Sequence, residues 1–405
     1  MGLFDKLKNV AEVAKKAIDD SGVADIAKSK LQEMLNGSNS QTEDDGANCE
    51  KIAINYTVVT EFELSPVSDN GYEIIKYFGF DEPNMEIPSV IDGKKIAGIG
   101  NGAFGATTFL KNVKLCDGIE YIDTNAFYNC EELEGVDLPL SLNKIGEYAF
   151  AKSGIKAIEI PDTVSVIGKE CFANCENLVY AKLPAPMDII PESCFSECEN
   201  LKKVIMPEAV AVIKHGAFIS CDKLKLDKVP ETCVVIEDYA LSGPDFKTDE
   251  LILPKSLEVI GEMAIGGDKS YSKMVIPASV KEVGKMAFNA ECEEIYIEDG
   301  ATFEMPDSLF VYCCNDAKKL VIPSSITEIG RIFGQMKETR MGGYVTDEYG
   351  RRVFDEDGKP IWESHDLGEH WEDDIPEELT IYCDAGSAAM ELARKYNIPC
   401  AKIER

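Results

Sequence analysis

The chain has 405 residues and carries 73 acidic against 41 basic side chains, which gives a formal net charge of −32. Such a charge repels the phosphates of nucleic acids and the anionic surface of a membrane, so it argues against a nucleic-acid function. No apolar run approaches the roughly 18 to 20 residues that a transmembrane helix needs.

Residues 1–35 are predicted to be an amphipathic helical segment. Apolar residues recur at alternating spacings of four and three, as on one face of a helix: Leu3, Leu7, Val10, Ala14 and Ala17. A break at Ser21 and Gly22 favours two short helices. Because acidic and basic side chains nearly cancel here, docking on a protein or self-association is favoured, and contact with a membrane surface is the alternative.

Residues 36–47 are predicted to be a flexible linker, because they contain no large apolar residue. Residues 48–86 follow as an N-terminal β cap. Two stretches there, 52–64 and 72–80, are rich in β-branched and aromatic residues and are separated by turn-forming residues, which predicts a strand pair. The pair is placed to cover the apolar end that a solenoid would otherwise expose.

Residues 87–336 repeat with a step of 22 to 24 residues, which is visible in two columns. The first column is mostly Ile: Ile99, Ile122, Ile145, Ile167, Ile190, Ile213, Ile236, Ile260, Val283, Met305 and Ile329. The second is mostly Phe: Phe104, Phe127, Phe150, Phe172, Phe195, Phe218, Leu241, Ile265, Phe288, Phe310 and Phe333. Both columns keep the same step, so we expect about eleven coils that bury their apolar faces by stacking.

Each coil contains two kinds of predicted element. An alternating segment before a proline, such as 204–206, predicts a short strand that ends where Pro cannot donate a hydrogen bond. The Ala-Phe segment predicts one turn of α-helix or 3-10 helix.

The stretch IPSVIDGKKIAGIGNGAF at 87–104 and the stretch IPDTVSVIGKECFANCENL ending at Leu178 resemble the BspA-type leucine-rich repeats of bacterial and protist proteins. The resemblance covers about residues 58–336 and resumes at 379. It implies an α/β fold: a right-handed leucine-rich-repeat solenoid of about eleven coils with short strands, short helices or 3-10 turns, and terminal caps. It also implies a protein-binding, non-enzymatic function with no catalytic residue in the repeat.

Residues 337–378 interrupt the repeat with an acidic insertion, in which two turn-forming clusters predict one or two hairpins. Both tryptophans of the chain, Trp362 and Trp371, lie there and make it a second candidate binding site, with a purely structural attachment of the insertion as the alternative. Residues 379–405 are predicted to be a last strand and a C-terminal helical cap.

No cofactor, metal site or catalytic motif is predicted. Four cysteines in adjacent coils could be read as a zinc site, but their columns also hold small buried residues: Cys171, Cys175, Cys194 and Cys198. His365 and His370 lie among carboxylates that could hold a divalent ion, although an acidic solvated loop has the same composition. We expect reduced thiols and a cytoplasmic location, because no secretory signal is recognisable, whereas members of the resembled family are mostly surface or secreted proteins.

The outward side chains of the strands are the predicted partner-binding face. They combine lysines with aromatic and aliphatic residues: Tyr180, Lys182, Lys203, Ile205, Lys228, Ile252, Val275, Tyr296 and Val321. This face would bind an acidic protein partner. The alternative is that the lysines only keep the strands solvated. At residues 224–229 the alternation places Asp227 in the inward column, so the register there is disturbed.

Three functions follow from these patterns. The first is a non-catalytic protein–protein interaction scaffold that uses the outer face of the solenoid. The second is a peripheral membrane-associated or self-assembling structural protein that acts through residues 1–35. The third is an enzyme with a site in the 337–378 insertion.

Overall fold

The computed structural model describes residues 55–68, 71–79, 82–310, 317–344, 362–373 and 375–403. The predicted helices of residues 1–35 and the linker 36–47 lie outside this part of the chain. The chain divides into two compact units. The first contains Met1–Leu224 and Val229–Ile236, and the second contains Lys225–Lys228 and Glu237–Arg405.

The first unit is built from short strands of two to seven residues. In chain order its described strands are β1 Thr57–Val58, β2 Phe62–Ser68, β3 Gly71–Tyr77, β4 Asn84–Ile87, β5 Val90–Ile91, β6 Lys94–Ile99, β7 Asn112–Leu115, β8 Tyr121–Ile122, β9 Gly135–Asp137, β10 Lys144–Ile145, β11 Ala157–Glu159, β12 Val166–Ile167, β13 Tyr180–Lys182, β14 Ile189–Ile190, β15 Lys203–Ile205, β16 Val212–Ile213 and β18 Val235–Ile236. β2 and β3 pair antiparallel, and parallel pairs link the successive coils.

The second unit repeats this architecture and ends in a helix. Its described strands are β17 Lys225–Leu226, β19 Leu241–Ser242, β20 Asp245–Phe246, β21 Glu250–Ile252, β22 Val259–Ile260, β23 Ile265–Gly266, β24 Tyr271–Ile276, β25 Glu282–Val283, β26 Phe288–Asn289, β27 Cys292–Ile297, β28 Lys319–Val321, β29 Gly334–Tyr344, β30 Trp362–Asp373, β31 Thr380–Tyr382 and β32 Cys400–Ala401. The helix α1 spans Ala388–Lys395 between β31 and β32.

The Ile column forms the parallel strand ladders that define the solenoid fold. In the first unit Ile99 pairs with Ile122, and Ile122 with Ile145, in parallel register. The column also begins one turn earlier than the repeat predicts, because Ile74 of β3 pairs in parallel with Ile99. The chain contains about 12 turns of parallel β-solenoid with little helix, so the predicted solenoid is confirmed.

The Phe column forms a stack of rings in the core of the first unit. Six phenylalanines from Phe104 to Phe218 lie with neighbouring ring centroids 5.0 to 5.6 Å apart and interplanar angles of 1° to 11°. All six rings are buried. In the second unit the ring centroids of Phe288 and Phe310 lie 6.3 Å apart. The aliphatic residues Leu241 and Ile265 occupy the same column and are buried.

The Ala-Phe segments are short hydrogen-bonded turns and not α-helices. Alternate amides bond to the carbonyl three residues back, as in a 3-10 turn and as from Tyr128 to Asn125 at 3.0 Å. The intervening amides bond to the next coil: from Phe104 to Phe195, the amide of each core Phe donates to the carbonyl just before the next Phe, as from Phe127 to Ala149 at 2.8 Å. An amide that bonds to the next coil cannot also bond within a helical turn. In the first unit, two residues with positive φ, four positions apart, shape each turn; Asn125 and Asn129 are one such pair.

The acidic insertion contains one described antiparallel hairpin, formed by β29 and β30. The register places Tyr344 opposite Trp362 and Met336 opposite Trp371, with an irregularity near Glu338. Residues 345–361, which connect the two strands, lie outside the described part of the chain.

The C-terminal residues extend the strand ladder of the second unit. β31 pairs in parallel with β28, and β32 pairs in parallel with β31. The helix α1 begins after Ser387, whose side chain accepts a hydrogen bond from the amide of Met390, and it ends at Lys395. Its inward face is Ala389, Leu392 and Ala393.

Candidate interaction surface

The structure places four of the predicted face residues side by side in the first unit. β13 and β15 are adjacent parallel strands, with Tyr180 opposite Lys203 and Lys182 opposite Ile205. Between them Ala181 is buried and Val204 is half-buried, so the four predicted residues point outward as the alternation requires. The side chain of Ile205 is 41% exposed, and Lys203 is exposed.

The two lysines of this patch lack the ion pairs that four other lysines of the first unit form. Lys114 lies 3.2 Å from a carboxylate oxygen of Glu86, and Lys156 lies 2.7 Å from one of Glu134. Lys95 and Lys144 form similar pairs with carboxylates one coil away. By contrast, no carboxylate of the described residues lies within ion-pair distance of Lys182 or Lys203.

A half-buried tyrosine completes the patch in the first unit. Partial burial, together with the nearby negative charge of Glu159, raises the pKa of Tyr180, so its hydroxyl stays protonated and neutral at physiological pH. Glu159 is the register neighbour of Lys182 on β11. We define the strand patch as Tyr180, Lys182, Lys203 and Ile205.

The second unit contains a row of the other predicted apolar residues. Ile252, Val275, Tyr296 and Val321 lie opposite one another on four adjacent parallel strands. Tyr382 of β31 continues this row and was missed by the sequence analysis. The signal was present, since the repeat resumes at Leu379 and Tyr382 occupies the same outward position.

A second row, which the sequence analysis also missed, runs beside the apolar one and alternates in charge. It contains Glu250, Lys273, Glu294 and Lys319. The ammonium groups of Lys273 and Lys319 each lie 4.8 Å from the ring centroid of Tyr296. The Tyr296 hydroxyl raises the pKa of Lys319, so this lysine remains charged.

The register around Lys228 differs from the predicted one. Leu226 pairs with Phe246 and is buried, whereas Asp227 is exposed and lies 2.8 Å from Lys247. The register is thus shifted where the alternation is disturbed, and the apolar side chain of Leu226, not Asp227, fills the inward position. Lys228 is exposed in the second unit. The nine predicted face residues are thus divided between the two units.

The two tryptophans lie at separate points of the hairpin. Trp362 begins β30, and Trp371 lies near its C-terminal end, beside Met336 in the register. The backbone therefore places the two residues at opposite ends of one strand and does not bring them together.

The cysteine columns form a second buried ladder in the first unit. The thiols of Cys130, Cys175, Cys198 and Cys221 donate to the carbonyl of a core Phe in the preceding coil at 3.0 to 3.1 Å. Burial raises the pKa of Cys175 to about 11, which disfavours the thiolate that binds metals. Within the described residues, no group of three or more His, Cys, Asp or Glu side chains is arranged to hold a metal ion.

The repeat geometry agrees with the comparison of sequences. The profile of the BspA type leucine rich repeat region matches residues 97–225 and 226–333, in six copies, which is more than half of the chain. The chain belongs to the BspA-type leucine-rich-repeat family. The predicted resemblance is therefore confirmed, and no curated protein sequence matches the chain.

The chain is also similar to solved structures of leucine-rich-repeat proteins. One from Bacteroides ovatus has a TM-score of 0.53 at 17% identity, and the match covers 87% of this chain and 100% of that one. A leucine rich cell surface protein from Faecalibacterium prausnitzii matches at 21% identity over 69% of this chain and 91% of that one, with a TM-score of 0.38. The leucine-rich-repeat protein of T. pallidum matches at 25% identity over 42% and 91%, with a TM-score of 0.35.

The described part of this BspA-type chain contains no helix that is long and apolar enough to cross a membrane.

Proposed function

We propose that this protein is a non-catalytic interaction scaffold that binds an acidic protein segment on the strand patch. The observation that carries the proposal is a combination on two adjacent strands: Lys182 and Lys203, which have no ion-pair partner among the described residues, lie opposite Ile205 and Tyr180. Two outward cations without an ion pair are available to the carboxylates of a partner.

The geometry of the patch fits an extended segment. β13 and β15 are adjacent in a parallel sheet, so Lys182 and Lys203 stand on strands that are roughly 4.8 Å apart. Tyr180 and Ile205 occupy the other two corners and provide apolar contact area, which lysines alone lack. A partner segment that alternates carboxylates with apolar side chains would match both kinds of group.

The overall charge of −32 does not prevent this contact. At an ionic strength of about 0.15 M the Debye length is roughly 8 Å, so charges on distant coils are screened. A partner near the strand patch therefore experiences mainly the local charges, which are those of Lys182, Lys203 and the neighbouring Glu159.

The apolar row of the second unit is a candidate contact area of its own. Ile252 is 59% exposed, and Val275, Tyr296 and Val321 are half-buried beside it. Its lysines lie over aromatic rings and alternate with Glu250 and Glu294, so this row offers apolar surface rather than net positive charge. We expect it to slow dissociation of a partner more than it speeds association.

A fluorescent synthetic peptide that alternates Glu with Leu and Tyr tests the proposal by stopped-flow association with the full chain. We expect the double variant Lys182→Glu with Lys203→Glu to reduce the association rate constant at low salt by at least about tenfold and to flatten its salt dependence. The matched control is Lys169→Glu with Lys214→Glu, which makes the same change in net charge in the same unit, beside the Ile column.

Two results would overturn the proposal. Unchanged association by the first double variant would mean that the lysines are only solvated. Equal slowing by both double variants would mean that net charge, and not the strand patch, governs the encounter.

The remaining parts of the proposal are the absence of a catalytic site, a protein as the partner, and a cytoplasmic location. The first two are supported by membership of a repeat family whose fold serves as a scaffold. The location is supported by the thiols of the first unit, which the structure holds in hydrogen bonds to backbone carbonyls rather than in disulfides.

A further inference from the structure

Two thiols meet at the C-terminal end of the second unit. The register of β31 and β32 places Ile381 opposite Cys400, and the amide of Cys383 donates to the carbonyl of Ala401 at 2.9 Å. These contacts bring Sγ of Cys383 to within 2.8 Å of Sγ of Cys400. Both residues are free cysteines.

This arrangement differs from that of the cysteine ladder in the first unit. There, Cys175 and Cys198 each donate to a backbone carbonyl and are fully buried. Cys400 is instead exposed, while its neighbour Cys383 is 1% exposed. The thiol of Cys400 is therefore accessible to a reagent in solution, and the thiol of Cys383 lies directly beneath it.

The pair also brackets the C-terminal helix. α1, Ala388–Lys395, lies between the two cysteines in the chain, and its buried face packs inward through Ala389, Leu392 and Ala393. A bond between Cys383 and Cys400 would close a loop that contains the whole helix, with its ends 17 positions apart.

We propose that Cys383 and Cys400 form a site of thiol–disulfide exchange with a low-molecular-weight disulfide such as glutathione disulfide, and that the resulting bond fastens α1 to the last strands. The exchange requires only Cys383 and Cys400 and none of the other cysteines among the described residues.

The exchange is balanced in two steps. The thiolate of Cys400 attacks one sulfur of glutathione disulfide, forms a mixed disulfide and releases one glutathione thiolate, which takes up the proton that Cys400 lost. The sulfur of Cys383 then attacks Sγ of Cys400, the bond between Cys400 and glutathione breaks, and the departing glutathione takes up the proton of Cys383. The two protein thiols are oxidised, and one glutathione disulfide is reduced to two glutathione thiols.

The order of attack follows from exposure and electrostatics. Burial, together with the hydrogen bond with Cys400, raises the pKa of Cys383 to about 12, so Cys383 stays protonated in the folded chain. Cys400 is therefore the first nucleophile, and Cys383 reacts once the mixed disulfide lies beside it.

The test uses the full chain, incubated with glutathione disulfide, quenched with N-ethylmaleimide and examined by intact mass and peptide mapping. We expect wild type to lose the two alkylatable thiols of Cys383 and Cys400 and to give a crosslinked peptide without bound glutathione. Cys383→Ala should keep one glutathione on Cys400, because no second thiol resolves it. Cys400→Ser should remain unmodified at Cys383.

Hydrogen exchange of the α1 amides provides a second readout. Closing a loop of this length should slow their exchange by about 100-fold in oxidised wild type relative to reduced wild type, provided that the amides exchange through detachment of the helix. Cys383→Ala should show no such difference. The proposal fails if wild type retains glutathione on Cys400, if neither cysteine reacts, or if the crosslink forms but helix exchange is unchanged.

Discussion

Truncation of a central ring, Phe195→Ala, should strongly destabilise the first unit. Phe195 is fully buried, and its ring lies 5.4 Å from that of Phe172 and 5.5 Å from that of Phe218, with interplanar angles of 8° and 6°. Removal of a buried Phe side chain costs about 3 to 5 kcal/mol of unfolding free energy. Because two stacking contacts are lost at once, at about 0.5 to 1.5 kcal/mol each, we expect the upper half of that range.

Denaturant unfolding monitored by circular dichroism measures this cost. Ile205→Ala is the matched control, since Ile205 is 41% exposed on the outer strand face one coil further along. It should change the unfolding free energy by less than about 1 kcal/mol. Phe195→Leu should cost about 1 to 2 kcal/mol, because Leu241 occupies the same column in the second unit and shows that an aliphatic side chain fits.

Equal losses for Phe195→Ala and Ile205→Ala would refute the assignment of inward and outward positions. If Phe195→Ala lowers the unfolding free energy no more than Phe195→Leu does, the stacked ring is not a main source of stability.

Two further predictions concern stability. Gly168→Ala should destabilise the first unit by several kcal/mol in urea melts, because a Cβ at this position would overlap the backbone amide of Glu147. The control Gly105→Ala should be nearly neutral, because its Cβ would lie 3.4 Å from the nearest atom, the carbonyl oxygen of Gly102. Burial raises the pKa of Cys130 to about 12 and that of Cys175 to about 11 from an ordinary 9.0, so the unfolded chain loses these protons first. The two protonated thiols therefore contribute stability that is intact below about pH 9 and falls as the pH rises towards 11 to 12. A urea midpoint that stays constant between about pH 9 and 12 would contradict this prediction.

The fold was largely predictable because the apolar columns are dictated by stacking. Because Ile and Phe recur at the step of one coil, each must lie beside the equivalent residue of the next coil. The pairing of Ile122 with Ile145 and the stacking of Phe150 on Phe127 confirm this. The extra turn at Ile74 was missed because β3 serves two partners. It pairs antiparallel with β2 and parallel with β6, and only the first pairing has a local turn signal.

The turns of the coils were not predictable from composition. Tyr148 and Lys152 adopt positive φ values of 55° and 58°, although neither residue type favours that region. The conformation is imposed by hydrogen bonds to the next coil, such as that from the amide of Tyr148 to the carbonyl of Lys169 at 3.1 Å. Local sequence preference contains no information about such a partner, which is why the segment was predicted to be helical.

The sequence was enough to predict where the candidate surface lies, but not which of its lysines form ion pairs. Alternation along the strands was enough to place Tyr180 and Lys203 outward. Which lysines are neutralised depends on side-chain reach between coils. Lys156 pairs with Glu134 at 2.7 Å, whereas Lys182 has Glu159 as its register neighbour without an ion pair. The same limitation hid the contacts of Lys273 and Lys319 with Tyr296.

The most direct test of the strand patch is lysine acetylation footprinting with and without the Glu-, Leu- and Tyr-containing peptide, read by mass spectrometry. We expect the peptide to lower the acetylation rates of Lys182 and Lys203 by at least about fivefold, because a bound carboxylate covers each ammonium group. Lys214, exposed beside the Ile column, should be unaffected. Unchanged rates at Lys182 and Lys203 together with protection elsewhere would contradict the assignment of the strand patch as the binding site.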